Sequence, residues 1–263
     1  MTNDYPIASS GRVAIAGDWH GNVRYIGLVI ARLRERAPDV DTIFQLGDFG
    51  HFPKRTGRQY LSAIDSLCAD AGIKRVFVIP GNHEDWTDLD RLFAANPAEP
   101  VQLSETVTVL PRVFRFDVGG RTFLSFGGAA SVDFEWRTTG RTWWPSEAPT
   151  EANVEDAIAG GPVDGLLAHE TVNGGTEEVE RILRSNPRGF SWEARAYSEA
   201  SRDKVTRVWD ALRPTVLAHG HMHVRGEIRL PDGRRVYSFA ANGLNGGLAV
   251  LDPQTLAWEW LDQ

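Results

Sequence analysis

Five short apolar runs in this chain each stop on a residue drawn from a narrow set, and that recurrence limits the fold more than any other feature. Residues 12–16 lead into Gly17-Asp18-Trp19-His20, residues 42–46 into Gly47-Asp48, and residues 75–79 into a segment holding Gly81-Asn82-His83-Glu84. Further along, residues 165–168 lead into His169, and residues 216–218 into His219-Gly220-His221-Met222-His223. Short runs of this kind, rich in Val, Ile and Leu, read as strands buried in a layered structure. Between the first three, Ile26, Val29, Ile30 and Leu33 recur at helical spacing, as do Tyr60, Ile64, Leu67 and Ala71. Strand-helix-strand units of this kind build α/β layers, and both helices are expected on one sheet.

The pattern changes after residue 100. From 101 to 126 it reads as hairpins, with Gly119-Gly120 turning between Phe114-Arg115-Phe116 and Thr122-Phe123-Leu124, which implies a second sheet. Near the end, Pro231-Asp232-Gly233 turns between residues 227–230 and 235–239, and residues 248–251 and 256–260 flank Pro253 in the same manner. Residues 127–149 are long, aromatic and without period, the profile of a functional loop. With 263 residues, of which 42% are hydrophobic and 24% charged, there is ample material for a core, and one domain over 1–263 is expected.

Charge and targeting features narrow the partners. A net charge of −7 lacks the basic footprint of a protein that tracks duplex nucleic acid. No apolar run approaches the roughly 20 residues of a membrane-spanning helix, and the first residues do not read as a leader, so a cytoplasmic protein without membrane association is expected. The one cysteine, Cys68, lies on the apolar stripe with Leu61, Ile64 and Ala71 and reads as a core residue.

Open α/β sheets bind ligands at the carboxyl ends of their strands, so the five polar strand ends should meet in one place. Six of the seven histidines lie in them, and His51 follows Asp48 by three residues. Two carboxylates, one carboxamide and several imidazoles form a mixed oxygen and nitrogen set, which suits Mn, Fe or Zn and fits poorly with Ca. One ion cannot use them all. Two ions about 3.5–4 Å apart can, sharing a carboxylate, and such pairs clamp the oxygens of a phosphoryl displacement. Two dications against Asp18 and Asp48 leave positive charge to hold phosphate in an otherwise acidic protein.

D-x-H, G-D, G-N-H-E, a lone His after a strand and G-H-x-H, in this order over residues 17–223, resemble the signatures of the calcineurin-like metallophosphoesterases. The resemblance implies an α/β four-layer sandwich, two stacked mixed β-sheets flanked by α-helices. It implies two divalent metal ions, one on Asp18, His20 and His223, the other on Asn82, His169 and His221, with Asp48 bridging. His83 would be catalytic, protonating the leaving group or stabilising transition-state charge, while a hydroxide between the ions attacks. The expected substrate is a small phosphate ester, a nucleotide-like diester or monoester.

Protein phosphatases of the family extend the second motif to G-D-x-x-D-R, an Asp to orient the histidine and an Arg to grip phosphate. Here those positions hold His51 and Phe52, which counts against a serine/threonine protein phosphatase. A non-catalytic binding module on the same scaffold is the other alternative, opposed by the full ligand set. Residues 127–145 resemble a segment of small phosphoesterases from bacteria and their phages. Arg137 and Arg141 there are candidate phosphate clamps. Trp143 and Trp144 are candidates for stacking a nucleobase, whereas Trp19 and Trp86 suit the core better and Phe49 is compatible with either role. His51 and His219 match no ligand position, and support of a ligating group is one role open to them.

Overall fold

The computed structural model describes residues 4–9, 11–53 and 57–261. Its strands are β1 (Tyr5–Pro6), β2 (Val13–Ala16), β3 (Thr42–Gln45), β4 (Arg75–Val78), β5 (Val101–Gln102), β6 (Val107–Val109), β7 (Val113–Val118), β8 (Arg121–Phe126), β9 (Gly165–Ala168), β10 (Val216–His219), β11 (Gly226–Arg229), β12 (Arg235–Ser238), β13 (Leu248–Asp252) and β14 (Ala257–Trp260). Helices α1 (Val23–Arg36), α2 (Gly57–Ala71), α3 (Trp86–Ala95), α4 (Glu151–Ala159), α5 (Glu177–Ser185) and α6 (Trp192–Leu212) connect them.

Two mixed seven-stranded sheets result, ordered β14-β13-β2-β3-β4-β6-β5 and β1-β7-β8-β9-β10-β12-β11. Alternation along each strand explains the layers. Val13 and Ile15 of β2, Phe44 of β3 and Phe77 of β4 meet Phe116, Phe123, Leu167 and Ala218 in a core between the sheets. Their neighbours Ala14, Ala16, Ile43, Val76 and Val78 face the opposite way, onto α1, α2 and α3. In the second sheet Leu166, Ala168 and Leu217 face a helical layer built from α4 and α6. Strands covered on both faces need apolar residues at every position, which is why the sequence shows runs where a half-exposed strand would alternate. Phe44 stacks on Phe77 at 5.4 Å within its sheet and on Phe116 of the other sheet at 5.1 Å.

The expected strands, the helices of both apolar stripes and the two tight turns are present. Gly119 and Gly120 join β7 to β8 with φ of 65° and 77°, the left-handed pair that a two-residue hairpin needs. Cys68 is buried in the helix-side core. One expectation needs correction: residues 101–126 do not all belong to a second sheet. β5 and β6 join the first sheet, because β6 runs parallel to β4 after the crossover through α3, while β7 and β8 enter the second. No helix among the described residues is long and apolar enough to cross a membrane.

Candidate metal centre

Strands β2, β3 and β4 are mutually parallel, as are β9 and β10, so each sheet gathers the loops after its own parallel strands at one end. Side-chain contacts across the sheets show that the two sets of loops meet. Gln45 fastens the exits of β2 and β3: its amide nitrogen donates to the carbonyls of Gly17 and Gly47, and its amide oxygen accepts from Gly47 N. Asn22 and Asp85, just beyond the first and third motifs, cap α1 and α3 by accepting backbone N–H bonds.

Asp18, His20, Asp48 and His223 form one group, their ligand atoms all within 4.8 Å of one another. His223 Nε2 lies 3.1 Å from Asp18 Oδ2 and 3.2 Å from His20 Nε2. An ion with nitrogen ligands at about 2.0–2.1 Å holds adjacent ligand atoms about 3.0–3.4 Å apart, so these facing imidazoles have the spacing of a shared ion. A second group adjoins through Asp48: His169 Nε2 is 3.2 Å from Asp48 Oδ1 and 2.9 Å from Asn82 Oδ1. His221 packs its ring against His169, centroids 5.1 Å apart. His169 Nδ1 lies 2.6 Å from the Leu46 carbonyl and donates to it, which leaves Nε2 as the basic nitrogen. Asn82 Nδ2 donates to Ser131 Oγ, which turns Oδ1 toward the same point.

Electrostatics agree with a cation at this place. Asp48 is 1% exposed, and its Oδ2 has no hydrogen-bond partner among the described residues. Burial opposes its charge, but the imidazoles of His169, His83 and His20 outweigh burial and hold the carboxyl well below the usual range. Burial likewise opposes a cationic His169, yet Asp48 pushes that imidazole up to about 10. Burial holds His221 well below its ordinary value. An orphaned carboxylate oxygen ringed by imidazoles is what a divalent ion would complete, and the residues present fit one.

The backbone is also strained here. Of eight non-glycine residues with positive φ among those described, four are His20, Asp48, His221 and His223, at 46°, 53°, 66° and 54°. Such conformations cost of order 1–3 kcal/mol each and persist where surroundings over-determine them. The adjacent glycines permit the close approach: a Cβ on Gly81 would strike Asp48, and one on Gly220 would strike Asp18.

The supporting roles of several residues escape sequence reasoning. Glu84 accepts N–H bonds from Phe49, Gly50 and His51, fixing the loop that carries Asp48. Glu147 accepts from Ser131 N, Ser131 Oγ and Trp143 Nε1, and so supports Asn82 through Ser131. Glu170 is fully buried, 3.9 Å from His221 Nε2. Glu147 carries no periodic signal, whereas Glu84 is the last residue of the G-N-H-E motif and Glu170 directly follows His169.

The remaining sequence candidates are placed as follows. His83 donates its backbone N–H to Asp48 Oδ1 and keeps its ring 30% exposed beside His20. His51 turns to Asp88, its Nε2 2.8 Å from Oδ2, and His219 is buried against Thr171 and Gly220. Arg137 lies against His83, whereas Arg141 is exposed. Trp144 is buried, donating to Thr87, and Trp143 is half-buried with its N–H on Glu147. Trp19, Phe49 and Trp86 are core residues. The exposed indole of the long segment is instead Trp136, 66% exposed beside Phe190 at 5.2 Å.

Comparison with known proteins agrees with this architecture. The family model for calcineurin-like phosphoesterases matches residues 11–225, and the chain belongs to that family. It is a metal-dependent phosphoesterase. Among solved structures, TT1561 of Thermus thermophilus is similar at a TM-score of 0.56 and 13% identity, covering 95% of this chain and 97% of that one. A dimetal phosphatase from Danio rerio is similar at a TM-score of 0.55 and 12% identity, covering 92% of each. No curated protein matches the chain significantly by sequence.

Proposed function

We propose that the chain is a binuclear phosphohydrolase that cleaves small, nucleotide-like phosphodiesters or monoesters. The observation that carries this reading is Asp48, which both donor groups share and whose Oδ2 is buried without a hydrogen-bond partner among the described residues. Asp18, His20 and His223 would hold one divalent ion, Asn82, His169 and His221 the other, and Asp48 both. Mn, Fe or Zn suits this mixture of oxygen and nitrogen donors. When bound, such a pair supplies Lewis-acid polarisation of the phosphoryl group and an activated water.

The chain's own residues do the rest. Asp48 holds both donor groups in register through its two oxygens. His83 projects its ring at the rim, beside His20, where it can reach the leaving-group oxygen. Trp136 and Phe190 offer an exposed aromatic face one residue from Arg137, suited to a base on the ester. Position 51, where a protein phosphatase would carry an acid, holds a histidine committed to Asp88, and Phe52 packs near Trp144, so a protein substrate lacks support.

The test is bound-metal analysis together with hydrolysis of p-nitrophenyl phosphate and its bis ester under Mn²⁺, followed by a panel of cyclic nucleotides against a phosphopeptide. Two ions per chain and preference for nucleotides support the reading. Preference for the phosphopeptide overturns the substrate class, and hydrolysis unaffected by metal removal overturns the mechanism.

A further inference from the structure

With His51 turned away to Asp88, the ring of His83 has a different partner. Arg137 Nη2 lies 2.6 Å from His83 Nε2, and Nη1 lies 3.1 Å from Nδ1. The guanidinium is itself fixed. Its Nε donates to Asp133 Oδ1 at 2.6 Å, its Nη2 to Asp133 Oδ2 at 2.8 Å, and its Nη1 to the Thr142 carbonyl at 3.0 Å. A guanidinium has five N–H groups in a rigid fork. Three are taken by Asp133 and Thr142, and the remaining two face the ring of His83, whose neutral imidazole has one acceptor nitrogen, here Nε2 at the shorter distance, and keeps its proton on Nδ1. The side chain is 13% exposed, and at most one N–H, on Nη1 beside His83 Nδ1, lies outside a hydrogen bond, too few for a two-point grip on phosphate.

We infer that Arg137, clamped by Asp133, is the positioning residue of His83, and that it acts on the reaction through that imidazole and not as a grip on the substrate phosphate. The inference rests on the catalytic reading of His83 given above. Geometry favours it over a clamp because the bidentate face of the fork, Nε with Nη2, is spent on a carboxylate four residues away. Thr142 and Asp133 both lie in the long aperiodic segment, which assigns that segment the task of placing one arginine over one histidine. Lys cannot replace it, since an ammonium has no fork with which to hold Asp133 and reach His83 together.

A double-mutant cycle tests this, using His83→Ala, Arg137→Ala and the double variant, with kcat and KM measured on an alkyl phosphate ester and on p-nitrophenyl phosphate under Mn²⁺. Metal content and thermal melting of each variant show that it is folded and loaded. General acid–base assistance is typically worth about 10²–10⁴ in rate, so Arg137→Ala should lose at least about tenfold in kcat on the alkyl ester, with KM within about twofold of wild type. The double variant should be no slower than His83→Ala, because a positioning residue has nothing left to position. Added guanidine should restore part of the rate to Arg137→Ala and none to the double variant, and Asp133→Asn, which keeps the arginine, should fall between wild type and Arg137→Ala. Losses that multiply, or a KM that rises in both backgrounds, would show a direct phosphate contact and overturn the inference while leaving His83 catalytic. A wild-type rate in His83→Ala would overturn both.

Discussion

Removing one hydroxyl should disturb the metal centre from a distance. Ser131 Oγ accepts from Asn82 Nδ2 at 2.8 Å and donates to Glu147 Oε2 at 2.9 Å, and the three residues are each 1% exposed or less. Ser131→Ala leaves a buried amide N–H and a buried carboxylate oxygen without partners. Each such group costs about 1–3 kcal/mol, so the folded state should lose about 2–4 kcal/mol after relaxation. In a chain of this size 1 kcal/mol shifts Tm by about 2–4 °C, which puts the fall at roughly 5–15 °C. The second effect is on metal. Without Ser131, nothing turns Asn82 Oδ1 toward His169, and loss of such a supporting bond typically weakens metal affinity about 10–100-fold. Isothermal titration with Mn²⁺, alongside a melting curve of the metal-free protein, reads both. A Tm that falls while Mn²⁺ affinity stays unchanged would refute the argument, because it would reduce Ser131 to a packing residue.

Other perturbations have equally definite outcomes. Asp48→Asn should lose more activity than Ala at His20, His223 or His221, since it alone joins both donor groups; elemental analysis showing full metal and near-normal turnover would contradict this. Trp136→Ala should raise KM for nucleoside esters and leave p-nitrophenyl esters unaffected, whereas Trp143→Ala, which removes one of the hydrogen bonds holding Glu147, should slow both alike; steady-state kinetics on the two substrate types decides. The imidazole of His169, ordinarily near 6.5, rises to about 10 beside Asp48 in the metal-free protein. A raised histidine contributes stability fully present below pH 6.5 and lost as pH climbs through 10, at up to about 1.4 kcal/mol per pH unit. Metal-free melting temperatures should therefore fall over that window, while Mn²⁺ affinity rises, because His169 must shed its proton to ligate. A flat profile in either measurement would remove the Asp48–His169 pair as its cause.

Much of the fold was legible because its central strands are covered on both faces: residues such as Val13 to Ala16 must all be apolar, and a run of that kind is visible without any partner. Which sheet a strand joins was less legible. Val107 and Val109 look like hairpin residues, and only the crossover through α3 places them beside β4. The seven expected ligands lie in the short segments after strands, which the apolar runs mark, but their division between two ions came from the family resemblance, since position alone does not separate Asn82 from His83 or His221 from His219. The left-handed backbone at His20, Asp48, His221 and His223 was not legible, since φ is set by the surrounding turns and leaves no mark in residue type beyond the neighbouring glycines. Asp133, Arg137, Ser131 and Glu147 lie in a segment without period, where a polar residue at the surface and one holding the centre look alike.

The central claim is that Asp48 joins two cation sites. Anomalous scattering from crystals of the protein loaded with Mn²⁺ tests it directly. Two peaks should appear about 3.5–4 Å apart, one among Asp18, His20 and His223, the other among Asn82, His169 and His221, with Asp48 between them. A single peak at full loading, or a second peak that does not touch Asp48, would contradict the account.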